Sequence, residues 1–411
     1  MKSVNIFHPA TQHSYQLALA IQKAGLLNQF ITSVYFKKDK FPYSFLNHLP
    51  DFFKIPIQRE FKKRFLAGLD DNLIHQYPWF ESVRQLFERV KTPPILRDWM
   101  VQVCDRAMDG YVSRRKLGDI STIVGFSGSC LETFQAAKRR GIQCVLDQPI
   151  AYIDYAREVL KEEANLHPDF AGTINYGFQS ERWCENRREE IELSDAILCG
   201  SSFVKNSLAE SGFSTQKAFI ISYGVDLKRF SCAESKSKLS SLFRIIFVGA
   251  IGQRKGIKYL LEAVKQLKLK DLKLILIGNF VGSREPYRIY SEYFEHISHV
   301  PRAEMQNHYK TADLLVLPSV AEGFGLVVLE AMASGLPVIV SENTGGRDVV
   351  EDGEDGFVVP IRDIGAIREE IAYLYENRTL CREMGMKARQ KAERFSWERY
   401  QTQIKNFFEG F

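Results

Sequence analysis

The chain has 411 residues, 45% of them hydrophobic, which is typical of a globular protein with two or three domains. Its apolar runs have the length of strands and fall short of the roughly 18 residues that a membrane-spanning helix needs, which excludes such a helix. The net charge is +5, but residues 1–140 hold 21 Lys and Arg against 12 Asp and Glu, so the excess of positive charge lies in that part.

The N-terminal sequence argues against a secreted protein, and the cysteines argue against a disulfide-stabilised or zinc-binding protein. The first ten residues lack the apolar core of a secretory signal, so we expect a cytoplasmic protein. The seven cysteines include no Cys-x-x-Cys pair and have no His at ligand spacing. We therefore predict neither a disulfide framework nor a zinc site, and we expect no metal.

Short apolar runs alternate with helical patterns along the first half of the chain, which predicts a parallel sheet covered by helices. The predicted elements are a strand at Val4 to His8, a helix at Ser14 to Ala24, a strand at Phe30 to Phe36, a mostly helical excursion over residues 37–116, and strands at Ile120 to Phe126, Gln143 to Asp147, Ala196 to Cys199 and Ala218 to Ser222.

The second half repeats this pattern after a polar segment, Ser231 to Ser241, which we interpret as an interdomain linker. Its strands are predicted near Arg244 to Gly249, Leu272 to Gly278, His296 to Pro301, Leu314 to Pro318, Pro337 to Ser341 and Gly356 to Val359. Ligands of open parallel sheets bind outside the carboxyl ends of the strands. Two such domains that face each other would therefore enclose a deep cleft.

Aromatic and cationic residues are interleaved over residues 52–65. This pattern suits peripheral docking on an anionic membrane surface or the holding of an anionic acceptor. The alternative is a solvated basic helix face whose Phe residues belong to the core. No recognised nucleic-acid module accompanies the charge, so we do not expect nucleic-acid binding.

The most informative stretch begins at Ala321, where Glu322 and Glu330 stand eight residues apart around a predicted strand-to-helix turn. A helix that begins here directs unpaired N–H groups and a partial positive charge from its first turn, which favours a diphosphate. Glu330 lies about 12 Å further along the helix, so the two carboxylates could hold groups on opposite sides of that diphosphate. The alternative is a helix with one capping and one solvated glutamate.

These residues resemble a known family. The region from about Arg244 to Tyr400 is similar to the nucleotide-binding half of retaining glycosyltransferases of family 4, which have the GT-B fold of two Rossmann-like domains facing across a deep cleft. The resemblance rests on motifs in the family's order: Tyr223-Gly224-Val225-Asp226, Phe247-Val248-Gly249, Arg254-Lys255-Gly256, the paired-glutamate motif from Glu322 to Gly335, Gly345-Gly346, and Gly356-Phe357-Val358.

The resemblance implies a division of the chain into domains. Residues 1–230 would form an acceptor-binding domain and residues 242–396 a nucleotide-sugar-binding domain. The final helix, about residues 397–411, would pack back on the first domain.

The resemblance also implies roles for residues of the second domain. Glu322 would contact hydroxyls of the donor hexose, and Arg254 and Lys255 would stabilise the departing diphosphate electrostatically. Many relatives have an arginine where this chain has Ala250, so Arg254 either substitutes for it or points to solvent. The remaining donor-binding residues would be Gly249, Val300, Pro301, Gly323, Phe324, Gly325, Leu326 and Glu330.

The first domain departs from the family pattern. The loop from His8 to His13 stands where relatives often have a glycine pair, and Asp147 with Gln148 stands where many have a histidine. Asp147 would either bind a sugar hydroxyl or cap the next turn, and the segment Ser127 to Ser129 would either line the acceptor pocket or simply start a helix. The candidate acceptor or sugar residues are His8, Thr11, Gln12, Ser127, Asp147 and Gln148.

The sequence therefore predicts a retaining glycosyltransferase that moves a hexose from a UDP- or GDP-type sugar to an unidentified acceptor in carbohydrate or glycoconjugate biosynthesis. We expect it to need neither a metal nor another cofactor. The alternatives are a non-catalytic protein that binds sugar nucleotides and a GT-B sugar-nucleotide epimerase. A nicotinamide-dependent dehydrogenase is disfavoured because the turn after Val248 lacks the Gly-x-Gly-x-x-Gly spacing.

Overall fold

The computed structural model describes residues 2–9, 13–37, 64–77, 94–174, 181–232 and 242–411, without the side chains of residues 94–99. Contacts group the chain into two compact units. The first consists of Met1–Asp147, Glu181–Leu198 and Gln401–Phe411, and the second of Gln148–Ser180 and Cys199–Tyr400.

The strands of the N-terminal half form one sheet. They are β1 (Val4–His8), β2 (Leu27–Thr32), β3 (Ile74–Gln76), β4 (Thr122–Phe126), β5 (Gln143–Gln148), β6 (Ala196–Cys199) and β7 (Ala218–Ile220). Their spatial order is β3-β2-β1-β4-β5-β6-β7, and β1 pairs in parallel with both β2 and β4. Every residue of β1 and β4 is buried, as expected for central strands of a sheet that helices cover on both faces.

The helices that accompany this sheet follow the alternation of the sequence. Within the described ranges they are α1 (Ser14–Lys23), α2 (Pro94–Arg115), α3 (Leu131–Lys138), α4 (Ile153–Leu166), α5 (Glu181–Leu193) and α6 (Ser202–Glu210). At the start of α6, a side chain caps the helix. The hydroxyl of Ser201 accepts the N–H of Val204 and so caps the first turn.

The C-terminal half contains a second parallel sheet. Its strands are β8 (Phe243–Val248), β9 (Leu272–Ile277), β10 (Phe294–Ile297), β11 (Leu314–Leu317), β12 (Val338–Ser341) and β13 (Gly356–Val359). Their spatial order is β10-β9-β8-β11-β12-β13, and all the pairings are parallel. The helices described here are α7 (Ile257–Leu267), α8 (Met305–Thr311), α9 (Leu326–Ala333), α10 (Ile364–Glu376), α11 (Arg378–Ala392) and α12 (Trp397–Gly410).

Each sheet has a point where the order of its strands reverses. In the first sheet β1 and β4 are neighbours, and in the second β8 and β11 are neighbours, with later strands added on opposite sides. At such a point the connections leave in opposite directions and open a crevice at the carboxyl ends of the strands. The ends of β8 and β11, and those of β1 and β4, are therefore where the fold places candidate sites.

The predicted class of two α/β domains with parallel sheets is confirmed. Three details of the prediction differ from the structure. The strand expected near His296 to Pro301 lies at Phe294–Ile297, because its pairing with β9 begins at Phe294. The strand expected at Phe30 to Phe36 lies at Leu27–Thr32, because pairing with β1 begins at Leu27. Of the stretch expected to be mostly helical over residues 37–116, the structure describes residues 37, 64–77 and 94–116, which contain α2 and also β3. The strand β3 is short, lies at the sheet edge and ends in the polar residues His75 and Gln76, so it carries little of the usual strand pattern.

The predicted domain boundaries, 1–230 and 242–396, stay a prediction. The grouping by contacts differs from them, because residues 148–180 and 199–230 belong to the second unit. Residues 401–411 group with the first unit. The predicted linker lies outside the described residues from position 233 to 241.

The proposed membrane or acceptor contact at residues 52–65 also lies outside the described residues, except for Arg64 and Phe65. None of the helices in the described ranges has the length and hydropathy of a bilayer-spanning segment.

Gly256, between β8 and α7, provides a test of the backbone geometry. Its φ is +68°, and a Cβ would lie 1.8 Å from the carbonyl oxygen of Pro318. Gly256→Ala should therefore lower the free energy of unfolding by more than the ~1–2 kcal/mol that the left-handed conformation alone costs. Urea unfolding measures the difference.

Gly353 is the matched control, since its φ is +75° and nothing lies within 4 Å of its Cβ position. Gly353→Ala should show the conformational cost without the clash. Equal losses of stability in the two variants would contradict the close packing of the Gly256 turn on the end of β11.

Candidate functional site

The candidate donor site is built at the carboxyl ends of the neighbouring strands β8 and β11. After β8 the chain forms a short 3-10 turn, Gln253–Lys255, which Gly256 ends in a left-handed conformation. After β11 the segment 318–325 runs alongside this turn, and the carbonyl oxygen of Arg254 accepts the N–H of Val320 at 2.9 Å. Backbone bonding thus holds Arg254 and Lys255 next to the segment that carries Glu322.

The side chains of Arg254, Lys255 and Glu322 form a cluster of ion pairs. Arg254 Nη1 donates to Glu322 Oε2 at 3.0 Å and to the carbonyl oxygen of Ala321 at 2.9 Å, and Lys255 Nζ also bonds to Glu322 Oε2. The Lys255 and Glu322 side chains are only 10% and 15% exposed, so the cluster is poorly solvated. The alternative in which Arg254 points to solvent therefore does not fit the observed contacts of its guanidinium group.

Burial and charge act in opposite directions on these groups. Burial alone would raise the pKa of Glu322, but the adjacent Lys255 and Arg254 lower it to about 2. Burial also lowers the pKa of the Lys255 ammonium, although Glu322 opposes this effect. Two cations share one carboxylate, so the cluster keeps a positive excess, which favours an anionic ligand.

The glycines of the Glu322 turn are required by the protein's own packing. A Cβ on Gly323 would lie 2.1 Å from the carbonyl oxygen of Pro149, and Gly325 has a φ of +78° as the residue that precedes α9. Between them, Phe324 is buried and its ring lies 5.1 Å from that of Tyr223. The backbone is therefore fixed tightly just before Leu326, the first residue of α9.

Glu330 lies on α9, where it is partly buried rather than solvated. Its Oε2 accepts a hydrogen bond from the hydroxyl of Tyr309 at 3.0 Å. Burial raises the pKa of Glu330, and the charges of Arg302 and Arg229 only partly oppose this. The alternative of one solvated glutamate at this position is therefore wrong.

The other predicted donor residues lie at the ends of β8 and β10. Gly249 follows β8 with a φ of +142°, and its Cβ position is 3.8 Å from the Cε of Lys255, so it borders the ion-pair cluster. Val300 and Pro301 are partly exposed and follow β10, which lies two strands from β8. The carbonyl oxygen of Pro301 accepts the N–H of Glu304 at 2.8 Å.

A second cluster lies at the carboxyl ends of β1, β4 and β5 in the first unit. His13 Nε2 and Asp147 Oδ2 are 2.8 Å apart, and both side chains are buried. The ring of His8 stacks on Phe126 at 4.1 Å, and burial together with His13 lowers its pKa to about 3. A neutral His8 and a His13–Asp147 pair therefore share this strand edge.

Asp147 thus pairs with His13, which the sequence analysis did not select as a site residue. The sequence signal that could have identified His13 was its position at the end of the loop that follows β1. Gln148 donates through Nε2 to the carbonyl oxygen of Ile150 at 2.8 Å. Thr11 and Gln12 lie outside the described residues.

The segment Ser127 to Ser129 leads into α3. Carboxylates of the protein itself accept backbone N–H groups of this segment and of the start of α3. Glu190 accepts the N–H groups of Gly128 and Cys130 at 2.6 and 2.9 Å. Asp109 accepts the N–H groups of Glu132 and Thr133 at 2.8 and 2.9 Å, and burial raises its pKa to about 7. This arrangement favours the helix-start alternative for the segment, while Ser127 itself stays partly exposed.

In the part of the chain that the structure describes, no three His, Cys, Asp or Glu side chains are grouped as a metal site would require. The expected independence from metals stays a prediction.

The part of the chain that carries the ion-pair cluster matches a known protein family. Residues 233–391 match the family model of glycosyl transferases group 1. This range contains β8 to β13 together with Arg254, Lys255, Glu322 and Glu330.

Among curated proteins, an uncharacterized glycosyltransferase of Methanocaldococcus jannaschii is 29% identical over 219 residues, which are 53% of this chain and 60% of that protein. The chain spans between 46% and 61% of the length of this and three further curated relatives.

Several solved structures resemble the whole chain, and two of them illustrate the likeness. Sucrose-phosphate synthase from Thermosynechococcus elongatus has a TM-score of 0.66 and 19% identity, and covers 100% of this chain with 99% of its own. The HepE protein of Anabaena, in complex with UDP, has a TM-score of 0.64 and 14% identity, and both chains are fully covered. The likeness shows that the chain has the GT-B type of fold, with two Rossmann-like units.

The ion pairs of Glu322 predict an acid-dependent loss of stability. Its folded-state pKa is about 2, below its ordinary value of 4.5, so the folded state binds fewer protons than the unfolded state between these pH values. The stabilisation is complete above the ordinary pKa and is lost as the pH falls toward 2, by about 1–3 kcal/mol. Glu322→Gln should lack this loss.

Urea unfolding of the parent and of Glu322→Gln at pH 7 and pH 3 measures the difference. Glu295→Gln is the control, because that carboxylate is 59% exposed and pairs with Lys273. It should keep the pH dependence of the parent. A Glu322→Gln variant that loses as much stability in acid as the parent would contradict the ion-pair geometry.

Proposed function

We propose, from the glycosyltransferase group 1 domain at residues 233–391, that this chain transfers a sugar from a nucleoside-diphosphate sugar to an acceptor. The observation that carries the proposal is the convergence of Lys255 and Arg254 on Glu322 at the ends of β8 and β11. A poorly solvated cluster with excess positive charge stabilises the negative charge that develops on a departing diphosphate.

In this proposal Lys255 and Arg254 bind the diphosphate of the donor. The Lys255 side chain is largely buried and that of Arg254 is 28% exposed, so their interaction with the developing charge is stronger than it would be in bulk solvent. Gly249, beside Lys255, leaves room for the donor at the end of β8. The N–H groups before and at Leu326 would bind phosphate oxygens, as helix starts do.

Glu322 acts as a hydrogen-bond acceptor for the sugar in this proposal. With a pKa of about 2 it stays ionised at neutral pH, so it accepts hydrogen bonds from hydroxyl groups and supplies no proton. Glu330 would bind the ribose, and the main chain at Val300 and Pro301 would contact the base. We assign Glu322 no role as a nucleophile, and we propose retention of configuration through attack on the same face as the leaving phosphate.

The donor would be a hexose linked to UDP or GDP, transferred without a metal. The HepE structure contains UDP, which supports a nucleoside diphosphate as the ligand class. The acceptor would bind in the N-terminal half, near His8, Ser127 and Asp147. A cytoplasmic location with peripheral membrane contact through residues 52–65 remains a prediction.

A thermal-shift screen identifies the donor class. UDP, GDP, ADP and their hexose derivatives should be compared, and a ligand at 100 times its dissociation constant should stabilise the fold by about 2.7 kcal/mol. We expect a clear rise in melting temperature with UDP or GDP and their sugars. The absence of any shift with all of these ligands would contradict the proposed function.

Lys255→Ala should reduce kcat by about 100-fold with a smaller effect on the affinity for the free nucleoside, because its charge acts on the departing diphosphate. Steady-state kinetics and calorimetry with the nucleoside measure the two effects. Lys273→Ala is the control, since this lysine lies on β9 and pairs with Glu295. Equal activity of Lys255→Ala and the parent would exclude the proposed role.

A further inference from the structure

Glu163, on α4, is a carboxylate whose side chain is 0% exposed. Its Oε1 accepts hydrogen bonds from Gln253 Nε2 and from the hydroxyl of Tyr259, each at 2.6 Å. Its Oε2 accepts from Arg362 Nε at 2.8 Å. A buried carboxylate is unfavourable unless it is paired and hydrogen-bonded, and these three donors meet that requirement.

Gln253 connects this carboxylate to the candidate donor site. It immediately precedes Arg254, its side chain is fully buried, and its Oε1 accepts the N–H of Lys258 in the first turn of α7 at 3.0 Å. Its own backbone N–H donates to Thr173 Oγ1 at 3.1 Å. One side chain and one backbone group therefore fix the start of the turn that carries the two cations.

Arg362 neutralises the buried charge and is itself held firmly. It donates from Nη1 to Glu162 at 2.8 Å and from Nη2 to the carbonyl oxygen of Val159 at 3.0 Å. Although burial opposes it, the hydrogen bonds to Glu162 and Glu163 raise its pKa. Its φ is +66°, a conformation that residues other than glycine seldom adopt, so these bonds hold an unfavourable backbone.

We propose that Glu163 is a positioning residue for catalysis. Through Gln253 it fixes the Gln253–Lys255 turn, so that Arg254 and Lys255 reach Glu322 in one defined geometry. Apolar side chains of similar volume would fill this space at a lower desolvation cost, so the buried charge points to a requirement for orientation. The inference rests on the proposed sugar transfer, because it concerns the same cations.

Glu163→Gln and Gln253→Leu are the test variants, and Glu162→Gln is the matched control. Whichever way its amide is turned, the side chain introduced by Glu163→Gln would place an N–H group against Arg362 or against Gln253, whereas Gln253→Leu removes the link directly. Glu162 contacts the same arginine but is 60% exposed, and among the described residues it forms no hydrogen bond to the Gln253–Lys255 turn.

Each test variant should lower kcat by about 10-fold with little change in KM for the donor, since a small misplacement of catalytic groups acts mainly on the transition state. The double variant should lose about 10-fold, not the roughly 100-fold of independent effects, because both changes break one link. A merely structural role for Glu163 would lower the free energy of unfolding and leave the kcat of the folded protein unchanged. Glu162→Gln should keep the parent kcat.

Hydrogen exchange of the amides at residues 252–258 supplies a readout that does not depend on activity. Exchange should be faster in both test variants than in the parent and in Glu162→Gln. Unchanged exchange, a kcat of Glu163→Gln equal to that of the parent, or multiplicative losses in the double variant would overturn the inference. If the parent protein transfers no sugar but the test variants still show faster exchange, the proposed function is overturned, while the role of Glu163 in fixing the turn stands.

Discussion

The attraction between one poorly solvated carboxylate and two cations organises the second half of this chain. Glu322 follows β11, and the cations Arg254 and Lys255 follow β8, so the interaction joins the two strands at which the order of the sheet reverses. Charges that are removed from water interact strongly, and they must be held in place to do so. The tight backbone on both sides of the cluster meets that condition.

Much of the surrounding structure supports this placement. Gly256 and Gly323 allow backbone segments to approach so closely that a side chain would collide with a carbonyl oxygen. Gln253 links the turn to the buried Glu163, and Arg254 donates to the carbonyl oxygen of Ala321. The cations are therefore fixed by backbone and buried side chains, as preorganised electrostatic stabilisation requires.

The N-terminal half uses its carboxylates differently. Glu190 and Asp109 bind the N–H groups around the start of α3. A helix start that is filled by the protein's own carboxylates offers less to an anionic ligand. The neighbouring strand ends carry the His13–Asp147 pair and the neutral His8 instead, which suit hydrogen bonding to uncharged hydroxyl groups.

The alternation of strands and helices, most strand positions, and the motifs that bring Arg254, Lys255 and Glu322 to strand ends could all be predicted from the sequence. These features follow from local patterns, because apolar runs, glycines and the chain order of parallel strands fix where each motif lies in a sheet. The prediction from sequence missed β3, because the residues of this edge strand lack an alternating pattern. It also left open where the side chain of Arg254 points. Three contacts became visible only in the folded chain: a Cβ on Gly323 would collide with the carbonyl oxygen of Pro149, Asp147 pairs with His13, and Glu163 accepts a hydrogen bond from Gln253. Each of these contacts joins residues at least 90 positions apart, and local sequence carries no record of such pairs.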